Sequence, residues 1–578
     1  MKRVSIKAAF LLTCALAAGA VACSGAAAQP PPAAGAPADI IFVGGAIVTM
    51  DPARPRVEAV AVRGETIVAV GTRAEATALR GEATRVVDLG ARALLPGFID
   101  AHGHFLAVGR GLDSLSLHPP PVGDVNDIDD IVARIRAWIA ERNIEPGGLV
   151  LGRGYDDSLL AERRHPTRDD LDRASTEHRI VLTHVSGHLR AANSAALAAA
   201  GITAGTPDPP GGHIRRRAGS REPDGVLEER AGGLVGGGLL ASAPGDTDAT
   251  ARRAVAVYLS YGTTTIQDGA TGPETVAALR AAARRRPFDA DVAAFPWFRT
   301  FEDAERAEHE ARYSGGFRVA GVKLSLDGSP QGRTAWVTEP YAEGPPGAPP
   351  DYRAYGTLAP DLYKAGAARL VRRGVPILVH ANGDAAIDLM LDGVAEAVAG
   401  ADPMPDHRAV IIHAQLMRAD QLDRAAELRV VPSFFSAHAF FWGDWHVRSF
   451  GAARGSNVSP ARWAIERGVR FTMHNDAPIV PPDIMRLVSI AVNRTTRSGR
   501  VLGPEQRLTV REALHAVTLG AAYQYFEEDT KGSITAGKRA DLVVLERNPL
   551  TTDPRELEHI RVLETFSRGR SVFRRPVD

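Results

Sequence analysis

The chain has 578 residues, with 68 Lys+Arg against 68 Asp+Glu, 45% apolar and 24% charged residues. Zero net charge leaves no basic footprint for nucleic acid, and the length suits one large domain plus a smaller one. Cys14 and Cys23 are the only cysteines, so the body beyond them can build neither a disulfide nor a thiolate metal site.

The first segment reads as an export signal. Lys2, Arg3 and Lys7 form a basic head before the apolar run AAFLLTCALAAGAVA, which is too short for a comfortable membrane span. Ala20-Val21-Ala22 suits an ordinary signal peptidase, and Cys23 directly after it suits a lipoprotein cleavage box. Residues 1–22 are therefore expected to be a signal peptide and 23–38 a flexible Pro/Ala-rich tether. The expected destination is the bacterial periplasm, free or anchored through lipid at Cys23.

Residues 39–93 alternate apolar positions with Gly punctuation, and 531–578 repeat that style. The two ends are expected to form one β-sandwich flanking an α/β barrel over 94–530. Eight strands are predicted: 96–102, 263–269, 291–298, 317–328, 375–384, 409–415, 429–435 and 469–476. The first gap is too long for one βα unit, so about 112–250 is read as an insertion. It holds two further strand-like runs, GGLVLGRGY and HRIVLTHVSGH, and a Gly-rich stretch at 231–246 that reads as a hinge, a lid or a plain surface loop.

Chemistry concentrates where the predicted strands end. His102 and His104 are two apart on an extended segment, so both imidazoles face one side and can reach one metal. His380, His413 and Asp476 close three other strands at the same barrel face, where active sites of such barrels collect. Lys323 stands on the fourth strand, in an otherwise apolar alternation, and either marks a solvent-facing end or takes part in the chemistry. GSITAGKR (532–539) is similar to a phosphate-binding loop, but Arg539 replaces Ser/Thr and a strand follows instead of a helix, so it reads as a turn.

The motifs LLPGFIDAHGH (94–104), VKLSLDGSPQGRTA (322–335), VHANGDAAID (379–388), IIHAQL (411–416), HNDAPIVPPD (474–483) and GSITAGKRADLVVLERNPL (532–550) resemble the amidohydrolase superfamily. GHLRAANSAALAAAGI (187–202) and PDGVLEERA (223–231) resemble its YtcJ-like branch of metal-dependent hydrolases, the amidohydrolase 3 type. The resemblance implies a distorted (β/α)8 TIM barrel and a centre of one or two divalent ions, zinc foremost. The implied ligands are His102, His104, an N6-carboxylated Lys323, His380, His413 and Asp476. Many relatives carry Gly-Ser before the last aspartate, where this chain has His474-Asn475, and His474 is expected to pack.

The implied reaction is cleavage of a carbon–nitrogen bond in an amide, formamide or N-acyl substrate. Asp476 would act as general base and acid, and His413 as ligand or as support for the carbonyl. An esterase or lactonase on the same site and an inactive periplasmic binding protein are the alternatives. In SFFSAHAFFWGDWH (433–446), Phe434, Phe435 and Trp442 are candidates for a hydrophobic substrate pocket, weighed against a small core beneath the loop. Arg494 is the candidate partner of a substrate carboxylate, weighed against a surface role. A small-molecule substrate and a homodimer are the expected partners.

Overall fold

The computed structural model describes residues 36–236 and 246–576. The expected signal, the Cys23 anchor, most of the tether and positions 237–245 of the Gly-rich stretch lie outside them; within that stretch, Gly232–Gly236 forms a short helix. Among the described residues no helix is long and apolar enough to cross a membrane.

Both chain ends contribute to one β-rich unit. Ala38–Val43, Ala59–Arg63, Thr66–Gly71 and Arg80–Asp88 form one sheet. Ala46–Ile47 and Ala93–Pro96 join Leu542–Leu545, Val562–Ser567 and Arg570–Arg574 in another. Inward-facing residues of both sheets share one apolar cluster containing Ile40, Phe42, Val60, Leu94, Leu542 and Val544. Phe42 meets Phe566 edge to face at 5.3 Å, which locks the first strand to the last part of the chain. The expected boundary at 93/94 falls inside the Ala93–Pro96 strand, because Pro96 still pairs with Leu542.

All eight predicted central strands are present. Phe98–Ile99, Thr263–Thr271, Asp291–Pro296 and Phe317–Val319 make one parallel sheet. Val322–Ser325, Ile377–Ala381, Val410–His413, Val431–Phe434 and Thr472–Met473 make a second, again parallel and in chain order. The single strand expected over 317–328 is thus two strands in different sheets. Gly321 lies at the break, where a β-carbon would stand 2.3 Å from the Pro376 carbonyl oxygen, so no side chain fits. The sheets are stitched there by the Phe298 N–H donating to the Lys323 carbonyl at 2.8 Å. At the far side, the Asp476 N–H donates to the His102 carbonyl at 3.2 Å, so the ends of the first and last strands adjoin.

The insertion is a sheet of six strands, not two. The foreseen runs, Leu149–Tyr155 and Arg179–His184, lie beside Leu115–Ser116, Leu189–Ala192, Pro223–Glu229 and Gly212–Arg216. Val150, Ile180 and Leu182 project from one face onto Ile131, Val132 and Ile135 of helix Ile128–Glu141. With period-two alternation, Leu151, Arg153 and Thr183 are left for the other face.

A buried ionic knot ties the C-terminal segment to the third central strand. Asp291 accepts from Lys531 at 2.6 Å, from Arg539 at 2.7 Å and from Arg568. Burial alone would raise the Asp291 carboxyl, but the three cations overcome it and hold it well below the usual carboxylate range. Asp291→Ala would strand these cations, and the expected loss is about 3–5 kcal/mol in urea unfolding at pH 7. Since the folded-state pKa is depressed, this stabilisation is present above the unfolded value of about 4 and fades as pH falls below it. A variant with an unchanged urea midpoint would count against the knot.

Candidate metal centre

Five strand ends bring His102, His104, Lys323, His380, His413 and Asp476 to one cavity. The Nε2 atoms of His102 and His104 stand 3.4 and 3.3 Å from Asp476 Oδ1, and His413 Nε2 stands 4.0 Å from Oδ2. His380 and His413 meet with ring centroids 4.5 Å apart, and Lys323 Nζ lies 3.0 Å from His102 Nε2. His413 (φ 78°) and Asp476 (φ 53°) both occupy the left-handed region, which the surrounding structure must enforce at a cost of about 1–3 kcal/mol each.

Each imidazole is held from behind through Nδ1. His102 meets Gln267 Oε1 at 2.5 Å, and Gln267 is itself fixed by donating to the Ala101 carbonyl and Tyr525 hydroxyl. His104 meets the Gly269 carbonyl at 2.7 Å, and His380 meets Asp327 Oδ1 at 3.1 Å. His413 meets His474 Nε2 at 3.1 Å, and His474 Nδ1 continues to Ser433 Oγ at 2.9 Å. A proton on each of the four Nδ1 atoms leaves a lone pair on every Nε2: those atoms of His102, His104 and His413 face Asp476, and that of His380 accepts from Asn382 Nδ2 at 3.3 Å. That is the arrangement metal-ligating histidines need from their outer partners.

Electrostatics favour the neutral form for three of the four imidazoles. Burial first, and then neighbouring Lys323 and imidazoles, depress His102, His380 and His413 well below the ordinary histidine range. His104 moves up: burial lowers it, but Asp476 more than compensates. For Asp476 burial raises and His104 lowers, and the net shift is downward, so it stays ionised. Burial pulls Lys323 down to about 7, with Asp476 opposing only in part. Lys323 therefore does not end its strand at solvent; it is 2% exposed. Nor does it pair with Asp327, whose carboxylate is taken by His380 and the backbone N–H groups of Trp336, Asn382 and Gly383.

These side chains fit a divalent metal. Asp476 Oδ1 is buried without a hydrogen-bond partner while imidazole lone pairs converge on it, and such an orphaned acceptor is costly unless a cation satisfies it. A second cluster, Asp157, His165 and His184, is arranged differently. The Ser186 N–H donates to His184 Nδ1, so His184 Nε2 carries the proton and donates to Asp157 Oδ1 at 2.9 Å. Its lone pair points away from the cluster, which is a structural hydrogen-bond network.

A sequence model described as "Amidohydrolase family" matches residues 85–573. The chain belongs to this family. It is 29% identical over 551 residues to the N-substituted formamide deformylase of Arthrobacter pascens, covering 92% of this chain and 97% of that protein. The putative amidohydrolase YtcJ of Bacillus subtilis strain 168 is 27% identical, with 92% and 99% covered. Among solved structures, an uncharacterized metal-dependent hydrolase from Pyrococcus furiosus superposes with a TM-score of 0.66 at 25% identity, covering 89% of this chain and all of that one. This amidohydrolase is thus a hydrolase of carbon–nitrogen bonds in a metal-dependent family.

The expected substrate residues lie elsewhere. Phe434 packs on Phe471, and Phe435 stacks on His474 at 5.3 Å, behind His413. Trp442 donates through Nε1 to Asp156 at 2.7 Å. All three are buried and absent from the cavity wall, as the reading of a small core beneath the loop requires. Arg494 is corrected on both counts: it is 2% exposed, and its guanidinium donates to the carbonyls of Leu502, Ser456 and Val458. His474 is more than packing, since it orients His413. Missed altogether were Gln267 and the His188–Glu229 pair, joined at 2.7 Å with His188 4.9 Å from the His380 ring. A Gln inside the otherwise strand-forming TTTIQDG was the available signal for the first.

Asp327→Ala removes the acceptor of three buried backbone N–H groups and of His380 Nδ1. The expected loss is about 3–5 kcal/mol of stability, read as a lower urea midpoint. An unchanged midpoint would show that these donors find other partners.

Proposed function

We propose that this amidohydrolase cleaves an amide, formamide or N-acyl substrate with a divalent metal, zinc foremost, held by His102, His104, His380, His413, Asp476 and a carboxylated Lys323. The observation that carries the reading is the convergence of inward-facing imidazole lone pairs on the orphaned Oδ1 of Asp476. Similarity to a protein named as a formamide deformylase supports the formamide end of this range.

When bound, the metal supplies an acidified water and a Lewis acid for the substrate carbonyl. Asp476 would accept a proton from water as the water oxygen adds to the carbonyl carbon. It returns the proton to the leaving nitrogen as the carbon–nitrogen bond breaks. With its proton on Nδ1, His413 presents a lone pair and serves as a ligand. With the Ser433–His474–His413 chain run in reverse, its Nε2–H donates to the carbonyl oxygen.

Lys323 enters as the neutral amine, which its burial favours near pH 7. Its lone pair would form a nitrogen–carbon bond to carbon dioxide and one N–H proton would be released, which turns the neutral amine into an anionic carbamate. The same reading closes the parallel strands into a distorted (β/α)8 barrel, with the two end sheets as a flanking sandwich. It also includes export through residues 1–22, with a tether to 38 and lipid at Cys23; the basic head and short apolar run support this part.

Purified protein is expected to carry one or two zinc equivalents and to hydrolyse members of a panel of formamides, N-acyl amines and esters. Chelation abolishes this turnover and zinc restores it. Asp476→Asn lowers kcat by about 10²–10⁴-fold when compared with wild type at equal zinc loading. Metal-free protein with no metal-dependent turnover on any class would overturn the reading. Lys323→Ala is expected to lose metal and activity together, and full retention of both would remove the carbamate alone.

A further inference from the structure

The cavity holding the centre measures about 830 Å³, and its wall is strongly cationic. Arg110, Arg153, Arg190, Arg230 and Arg299 line it, and none has a carboxylate within ion-pair distance among the described residues. The acids on the wall are Asp476, inside the centre, and Glu229, already paired with His188.

Two of these arginines belong to one row of the insertion sheet. Arg153 is the register partner of Thr183 on the adjacent parallel strand, and Thr183 is the register partner of Arg190 on the next, antiparallel one. Partners across a sheet share a face, and neighbouring strands stand about 4.8 Å apart. The Arg153 and Arg190 backbones are therefore about 10 Å apart, with the short Thr183 side chain between them. All three residues line the cavity.

Both guanidiniums are only partly used. Arg153 donates to the carbonyls of Ala107 (3.4 Å) and Pro478 (2.8 Å), and Arg190 to that of Gly232 (2.7 Å). Each has five N–H groups, so most remain for a ligand. Gly111 makes room for Arg153: a β-carbon there would lie 1.8 Å from its Nη1. Burial lowers Arg153 to about 10 and lowers Arg190 as well, with no anion offsetting either. Burial and the Arg153 charge together push His118, also on the wall, down to about 4. A half-buried cation pair without a counter-charge is an unfavourable arrangement that a bound anion would relieve.

We propose that the Arg153–Thr183–Arg190 row is a recognition subsite for a carboxylate carried by the substrate, away from the bond that is cut. The two guanidiniums flank the carboxylate and the Thr183 hydroxyl donates from between them. The substrate class is then an N-acyl or N-formyl amino acid in which chain length separates the carboxylate from the amide. The assignment rests on the hydrolase reading above for the reaction, and on the row itself for the anion.

The test pairs N-formyl ω-amino acids of increasing chain length with N-formyl alkylamines of equal length. At the best length the acid is expected to exceed its neutral partner at least about tenfold in kcat/KM, the scale of one charge-assisted hydrogen bond. This ratio falls toward one in Arg153→Gln and Arg190→Gln, mainly through KM, and Arg153→Lys keeps part of it. Because each variant is scored by a ratio, a general loss of folded protein cancels. Acids no better than their partners at any length, or a ratio untouched by both Gln variants, would overturn the subsite.

If neither series is turned over by zinc-replete protein, the hydrolase reading fails separately and binding decides the subsite. Calorimetric titration with 6-phenylhexanoate and with neutral 6-phenylhexanol then serves as the readout. Tighter binding of the acid that weakens about tenfold in both Gln variants upholds the subsite, and equal binding of acid and alcohol overturns it.

Discussion

Everything at the centre depends on one arrangement: four imidazoles bound outward through Nδ1, so that the Nε2 atoms of three of them, His102, His104 and His413, face a single buried carboxylate. Without outer partners, each ring could rotate or carry its proton inward. Gln267, the Gly269 carbonyl, Asp327 and His474 remove that freedom, and each sits on a strand or at a strand exit already fixed by sheet pairing. The burial that makes Asp476 Oδ1 an unsatisfied acceptor also lowers Lys323. Desolvation thus acts on the carboxylate, the imidazoles and the amine of the centre together.

Such a centre is an unfavourable concentration of polar groups, and the surrounding structure has to hold it. The parallel strands supply a dry floor whose alternate residues pack outward against the helices. The C-terminal segment is clamped on from below by Asp291 with Lys531, Arg539 and Arg568, so the chain end that completes the β-rich unit also braces the third strand. Two of the left-handed non-glycine residues, His413 and Asp476, lie in the centre, and close backbone approach at Gly321 sets where one sheet hands over to the next.

The insertion plays a different part. Its sheet rests one face on helix Ile128–Glu141 and turns the other toward the cavity, delivering His188 beside His380 and the Arg153–Thr183–Arg190 row to the wall. Strand ends of the two central sheets carry the histidines, Lys323 and Asp476 of the centre, and the insertion brings arginines to the cavity wall.

The residues of the centre were legible in the chain because strand-end chemistry is local: HxH, PILVH, VIIH and FTMHND each place a polar side chain at the end of an apolar run. The order of the central strands was legible for the same reason, as was the joining of the chain ends, but not the break at Gly321 that makes two strands of one. Four strands of the insertion were not, since Leu115–Ser116 is too short for periodicity and Pro223–Glu229 is polar for a strand. Aromatic density in 433–446 suggested a pocket, yet those rings back the centre instead, because composition cannot tell which side of a loop faces a cavity. Arg494 was likewise a free charge in the sequence and a buried brace on carbonyls in the fold. The sequence by itself determined which groups can bind, donate and accept, since those are properties of single side chains and local spacing. Only the tertiary structure decided which imidazole nitrogen faces inward, that Lys323 is dry enough to lose its proton near neutrality, and that Arg153 and Arg190 meet carbonyls but no carboxylate among the described residues. Each of those depends on groups 53 to 165 residues away or further that fix proton positions, exclude water or fail to supply an opposite charge.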